Sequence, residues 1–213
     1  MSDLQAITKT LITGDVKKLQ ELVQEALAAG VPANDILQKG LIAGMDIIGE
    51  KMQSGEMFIP EVLMAARAMS FSVEILKPLL AEGEATSAGK VIIGTVKGDL
   101  HDIGKNLVVM MMESAGFEVI DLGVDVEPDM FVKAIKENKP SLVGLSALLT
   151  TTMPMMRKSI ESIEESGLRD SLKIIVGGAP VSQSFADEIG ANGYAADAGS
   201  AAKLAKTLIN EQV

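Results

Sequence analysis

The hydrophobic period changes once along this chain, near residue 82, and that change restricts the folds open to it. Before it, apolar residues recur at the three- and four-residue spacing of amphipathic helices. SDLQAITKTLI has apolar residues at 4, 7, 11 and 12 behind a Ser2/Asp3 cap. DVKKLQELVQEALAAG has Asp15 as its N-cap and Gly30 as its stop. Residues 33–55 read as one further helix ending near Gly55, and 59–83 as a fourth with Pro60 in its first turn. Short connections between four such helices predict a small antiparallel bundle over residues 1–83. Residues 84–89, in the small polar run EGEATSAG, read as a linker.

From residue 90 the pattern alternates. Short β-branched runs occur at 91–95, 117–123, 141–146, 173–178 and, more weakly, 193–197. Helical stretches fall between and after them, at 103–115, 128–138, 153–166, 180–189 and 199–211. Strands alternating with helices give βαβ units. Residues 90–213 are therefore predicted to form a flavodoxin-like, Rossmann-like doubly wound domain with five parallel strands.

Ligands of open α/β sheets sit beyond the carboxyl ends of the strands. The segments in those places are VKGDLHDIG, LGVDVEP, SALLTTTMP, GGAPVS and ADAGS. The first carries His101, the only histidine in the chain. The others bring Ser146, Thr150, Thr151 and Thr152, and the pair Gly177 and Gly178, to the same rim.

Composition and spacing narrow the chemistry of that rim. The chain has 213 residues, with 29 Asp plus Glu against 19 Lys plus Arg, a formal charge of −10. Such a balance disfavours nucleic acid and anionic membranes as partners. No apolar run reaches membrane-spanning length and no secretory signal is visible, so a cytoplasmic location is expected. The absence of cysteine excludes disulfides, thiolate zinc sites and cysteine-ligated iron–sulfur clusters. A phosphate loop ending in Gly104-Lys105 would need glycine at Asp99 and Ser or Thr at Asn106. Gly94 and Gly98 are too far apart for a dinucleotide fingerprint. A receiver domain would place aspartate where Ser146 stands. A metal held by one histidine, with a macrocycle supplying the other ligands, remains. Asp99, two residues away, can fix that histidine's tautomer. Spacing alone leaves the macrocycle open.

Asp99, His101 and Gly104 form D-x-H-x-x-G; Ser146 and Leu148 form S-x-L; Gly177 and Gly178 form G-G. Together these resemble the cobalamin-binding signature of methionine synthase and of the small corrinoid proteins of methyltransferase systems. The stretch GEMFIPEVLMAARAMSFSVEILKP is similar to the last helix of the helical cap that precedes this module. The resemblance covers essentially the whole chain.

The resemblance implies cobalamin as cofactor, cycling between cob(I)alamin and methylcobalamin, with His101 as lower axial cobalt ligand. Asp99 would hydrogen-bond His101, and Thr152, where the family often has serine, would extend the relay. Ser146 and Thr150 would contact the nucleotide tail, for which Gly177 and Gly178 would leave room. Gly98, Asp102, Ile103, Gly104 and Leu148 complete the implied contacts, although Asp102 also reads as the N-cap of 103–115. Phe58 and the apolar face of 59–70 would either meet the upper corrin face or fill the bundle core. Met110, Met111 and Met112 read as packing residues, whereas Met153, Met155 and Met156 open a helix close to the site.

A stand-alone methyl carrier is the implied function. Its implied partners are a substrate-specific methyltransferase, an acceptor methyltransferase and a reductive activation protein, with methylamines, quaternary amines or methoxylated aromatics as donors. A cobalamin-dependent regulator and the small subunit of an adenosylcobalamin mutase are the alternatives.

Overall fold

The computed structural model describes residues 4–79 and 88–210. The Ser2/Asp3 cap, residues 80–83 of the fourth helix, most of the linker and the end of the last helix lie outside them. The chain divides into two compact units, one helical and one α/β.

In the helical unit, α1 (Leu4–Thr13) and α2 (Val16–Ala28) lead to a long helical stretch made of α3 (Ala33–Asp35), a π-helical segment (Ile36–Ile42) and α4 (Ala43–Gln53). α5 spans Ile59–Leu76. The Asp15 carboxylate accepts from Lys18 N–H at 3.0 Å, as an N-cap does. Gly30 and Gly55, at φ 80° and 76°, follow the ends of α2 and α4.

The third helix departs from the expected uniform α form. Ala43 N–H donates to Gln38 C=O, a five-residue step. The Thr8 hydroxyl donates to Gly40 C=O at 2.9 Å, taking a carbonyl within this segment from outside the helix. A Cβ at Gly44 would lie 2.8 Å from Leu11 Cδ2, and one at Gly40 would lie 3.1 Å from Ile7 Cγ2. The two glycines thus let α1 approach closely.

α5 is apolar on more than one side. Val62, Ala65, Ala66 and Met69 are buried, while Phe58 just before it and Ile59, Leu63 and Met64 on it are exposed. The bundle core therefore claims only part of the apolar surface of 58–71.

The α/β unit contains β1 (Lys90–Thr95), α6 (Ile103–Ser114), β2 (Glu118–Asp121), α7 (Pro128–Asn138) and β3 (Leu142–Ser146). Then come α8 (Met153–Glu165), a 3₁₀ turn (Arg169–Ser171), β4 (Lys173–Gly177), α9 (Gln183–Glu188), β5 (Gly193–Ala195) and α10 (Ala198–Asn210). The strands are parallel in the order β2-β1-β3-β4-β5. This is the expected doubly wound sheet, whose order reverses between β1 and β3.

Strand residues alternate between its faces. Ile92, Val143, Leu145, Ile174 and Val176 join Phe131, Ile135, Met156, Ile160 and Ile163 in one apolar core. Val91, Ile93, Leu142 and Ile175 are also buried, on the opposite pleat. Met111 and Met112 are buried, in keeping with a packing role.

β5 is shorter than the predicted 193–197, because Asp197 turns to capping α10. Its carboxylate accepts Ser200 N–H and the Ser200 hydroxyl, each at 2.8 Å. Among the described residues no helix is long and apolar enough to cross a membrane.

Candidate functional site

The register Thr95↔Ser146 brings the ends of β1 and β3 side by side, so their following loops meet where the strand order reverses. Asp99, on the first loop, is fully buried. A buried carboxylate is costly unless hydrogen-bonded, and this one has donors at both oxygens. Oδ1 accepts His101 N–H at 3.1 Å and lies 2.7 Å from His101 Nδ1. Oδ2 accepts Leu148 N–H at 2.7 Å, Leu149 N–H at 3.3 Å and the Thr152 hydroxyl at 2.7 Å. Burial pushes the Asp99 carboxyl up, but the bonds from Thr152, Leu148 and His101 outweigh it and hold the group well below the usual carboxylate range.

The ionised carboxylate decides the histidine tautomer. It can only accept, so the facing Nδ1 carries a proton, and a ring with that single proton has its lone pair on Nε2. The His101 side chain is half exposed. Thr95, fully buried, donates its hydroxyl to His101 C=O at 2.9 Å and fixes the backbone at the same residue.

The neighbouring sequence is arranged around this pair. Gly98 has φ 80°, a conformation that suits glycine. Asp102 accepts Asn106 N–H at its carbonyl (2.7 Å), and its carboxylate takes the Asn106 side-chain amide at 3.2 Å. It thus precedes α6 as expected. Ile103 is exposed, and a Cβ at Gly104 would meet no atom within 4 Å. Leu148 is exposed beside its bonded N–H. Ser146 ends β3 partly buried, and its carbonyl accepts Val96 N–H at 3.0 Å. Thr150 is exposed, and neither it nor Ser146 supplies a donor to Asp99.

The glycine pair has a structural cause within the protein. At φ 129°, a Cβ on Gly178 would lie 1.8 Å from Ala147 C=O, and one on Gly177 would lie 3.0 Å from Ala195 C=O. The strand ends after β3 and β4 approach too closely for any side chain at Gly178. Met156 is buried, and Met153 and Met155 pack against the same core, so this methionine group faces inward.

Sequence reasoning assigned no role to Thr95, Lys105 or Asp125. Lys105 is buried and bonds Asp121 and, at 2.7 Å, Asn106 Oδ1. Asp125 accepts Gly98 N–H at 2.7 Å. The segment LGVDVEP lies on the ligand rim, but nothing local in it points to these partners.

These residues suit a metal that arrives inside a macrocycle. The site offers one nitrogen with a held tautomer, and the described residues hold no cluster of three His, Asp or Glu able to bind a bare ion. Leu100, Leu148 and Leu149 on the same two loops, and Ile103 at the start of α6, are exposed apolar side chains, suited to a large, partly apolar ligand.

Comparison with known proteins agrees. Families described as B12 binding domains match residues 89–203 and 3–77. The chain is 43% identical over 214 residues to a corrinoid protein of Desulfitobacterium hafniense, covering 99% of each. This chain belongs to the B12-binding corrinoid proteins. Its similarity extends to dimethylamine corrinoid protein 1 of Methanosarcina acetivorans, at 45% identity over 97% of each chain. The crystal structure of the methanol:cobalamin methyltransferase complex of Methanosarcina barkeri includes a chain of the same fold. That chain is 30% identical, with a TM-score of 0.84 over 96% of this chain and 78% of that one. As a corrinoid protein of methyltransferase systems, the chain has cobalamin as its cofactor.

Proposed function

We propose that this corrinoid protein is a methyl carrier in which His101 Nε2 is the lower axial ligand of cobalt. The observation that carries the reading is Asp99: buried, bonded by donors at both oxygens and 2.7 Å from Nδ1, it leaves the opposite ring nitrogen to act as the metal ligand. Bound cobalamin supplies a cobalt centre able to accept and release a methyl group. The protein's part is to hold the ring, keep its proton on Nδ1 and exclude water from the Asp99 side. Leu148 N–H and Thr152 keep Asp99 ionised while it does so. At Gly104 a Cβ would meet no atom within 4 Å, so the room there is open to a ligand. Gly98, Asp102, Ile103, Leu148, Ser146, Thr150, Gly177 and Gly178 complete the cofactor surface.

The chain shuttles the methyl group between a substrate-specific methyltransferase and an acceptor methyltransferase, with a reductive activation protein as third partner. It works in the cytoplasm and is not catalytic alone. The dimethylamine relative supports an amine donor within the wider set of methylamines, quaternary amines and methoxylated aromatics. The division into domains at 1–83 and 90–213 belongs to the same reading.

The test is the absorption spectrum of the purified chain after hydroxocobalamin loading and desalting, beside His101→Ala. Retained corrin bands with axial ligation altered only in the variant support the reading. Identical ligation in both sinks the histidine assignment. Methyl transfer from dimethylamine, reconstituted with a dimethylamine methyltransferase, then checks the carrier role.

A further inference from the structure

The loop after β2 reaches back to the histidine loop. Asp125 N–H donates to Asp99 C=O at 3.0 Å, and the Asp125 carboxylate accepts Gly98 N–H at 2.7 Å. One residue therefore holds the peptide groups on both sides of the Gly98–Asp99 pair. Asp125 does this in the left-handed region, at φ 54°, which is uncommon outside glycine but tolerated by Asp and Asn. Its own loop is anchored in turn. Val126 N–H donates to Thr95 C=O at 3.0 Å, and Asp121 Oδ1 accepts Gly123 N–H at 2.9 Å. The other Asp121 oxygen pairs with buried Lys105, which directly follows Gly104 on α6. These contacts close a ring: Gly98–Asp99–His101, the start of α6, Lys105, Asp121, the 122–126 loop, Asp125, and back to Gly98.

We propose that Asp125 is a positioning residue for the cobalt ligand, setting the aim of His101 through the Gly98–Asp99 backbone. This rests on His101 being that ligand. The reasoning is geometric. Asp99's side chain is pinned from the β3 loop, so the ring direction depends on where its backbone stands. That backbone is held from the opposite side by Asp125. The partly buried Lys97, 3.4 Å from Asp125 and 2.9 Å from Glu127, is not needed for the clamp. The requirement is an acceptor of Asp length on a residue tolerating positive φ. Asparagine meets it; glycine keeps the backbone without the acceptor; glutamate keeps the charge at the wrong reach.

The test uses the full chain, its histidine labelled with nitrogen-15, loaded with hydroxocobalamin and reduced by one electron; a nitrogen-15 axial imidazole splits the signal of cobalt's unpaired spin into two lines, whereas the cofactor's own nitrogen-14 base gives three. Wild type, Asp125→Asn, Asp125→Gly, Asp125→Glu and His101→Ala are compared, with circular dichroism to establish folding. The expected order is wild type and Asn with full histidine-on signal. Gly and Glu should show a histidine-on to histidine-off ratio lower by on the order of tenfold, the scale of loss when support behind a metal ligand is removed. If Gly fails to fold, Glu carries the comparison. Full signal in Glu with loss in Asn would mean that charge matters rather than the clamp, and would overturn the proposal. Wild-type signal in all three Asp125 variants would overturn it as well. Wild type indistinguishable from His101→Ala would instead remove the ligand reading on which it stands.

Discussion

The Thr152 hydroxyl lies 2.7 Å from Asp99 Oδ2, joining residues 53 positions apart, on loops that follow different strands. Both groups are buried. The contact makes the third-strand loop part of the support for a histidine on the first-strand loop.

Thr152→Ala should remove a donor to a buried carboxylate and destabilise the apo chain by about 2 kcal/mol, the scale of hydrogen bonds to charged groups. Thr152→Ser keeps the hydroxyl and should recover most of that loss. Urea denaturation of the three proteins checks both statements; equal midpoints for Ala and wild type would mean the hydroxyl contributes nothing.

Asp99→Asn poses a conflict of donors. Three backbone N–H groups, a hydroxyl and Nδ1 face the two carboxylate oxygens. An amide nitrogen placed toward His101 turns Nδ1 into the acceptor and moves the ring proton to Nε2. The expected outcome is a protein that retains His101 but loses axial ligation. Nitrogen-15 NMR of the imidazole in the apo chain should show the tautomer switch, and an unchanged tautomer would refute it.

Gly178 and Gly104 should respond in opposite ways to alanine. At Gly178 the new Cβ would meet Ala147 C=O at 1.8 Å in a left-handed backbone conformation, so a loss of roughly 3 kcal/mol or more is expected. At Gly104 the space is open and the residue lies in the first turn of α6, so Ala should be neutral or stabilising by about 0.5 kcal/mol. If Gly104→Ala folds normally yet takes up hydroxocobalamin poorly, its glycine serves ligand approach. Normal uptake would remove Gly104 from the cofactor surface.

Hydroxocobalamin at a hundred times its dissociation constant should stabilise the folded chain by about 2.7 kcal/mol, because only the folded state assembles the site. Thermal unfolding with and without ligand measures this. His101→Ala should show a smaller rise at the same ligand concentration; an equal rise would mean that axial ligation adds nothing to affinity.

Much was legible in the chain order. The change from a period near four to alternating strands and helices marked the two parts, because burial of one face imposes each repeat locally. The rule that ligands sit past strand ends then placed His101, Ser146 and Gly177 on one rim. The two-residue step from Asp99 to His101 disclosed their contact, which is local in the chain. By contrast, the closure of the Asp99 shell by Leu148, Leu149 and Thr152 depends on β1 and β3 pairing with Thr95 opposite Ser146. Asp125 meets Gly98 across 27 positions only because β2 lies on the other side of β1. The need for glycine at 178 likewise comes from Ala147 C=O, and the π-helical turn at 36–42 accompanies the Thr8 hydroxyl on Gly40 C=O. Periodicity and short spacings are properties of neighbours along the chain, so the sequence by itself determined the elements, their order and the histidine with its aspartate. Hydrogen bonds and steric exclusion between distant segments exist only once the strands are in register, so the tertiary structure alone decided what holds that pair in place.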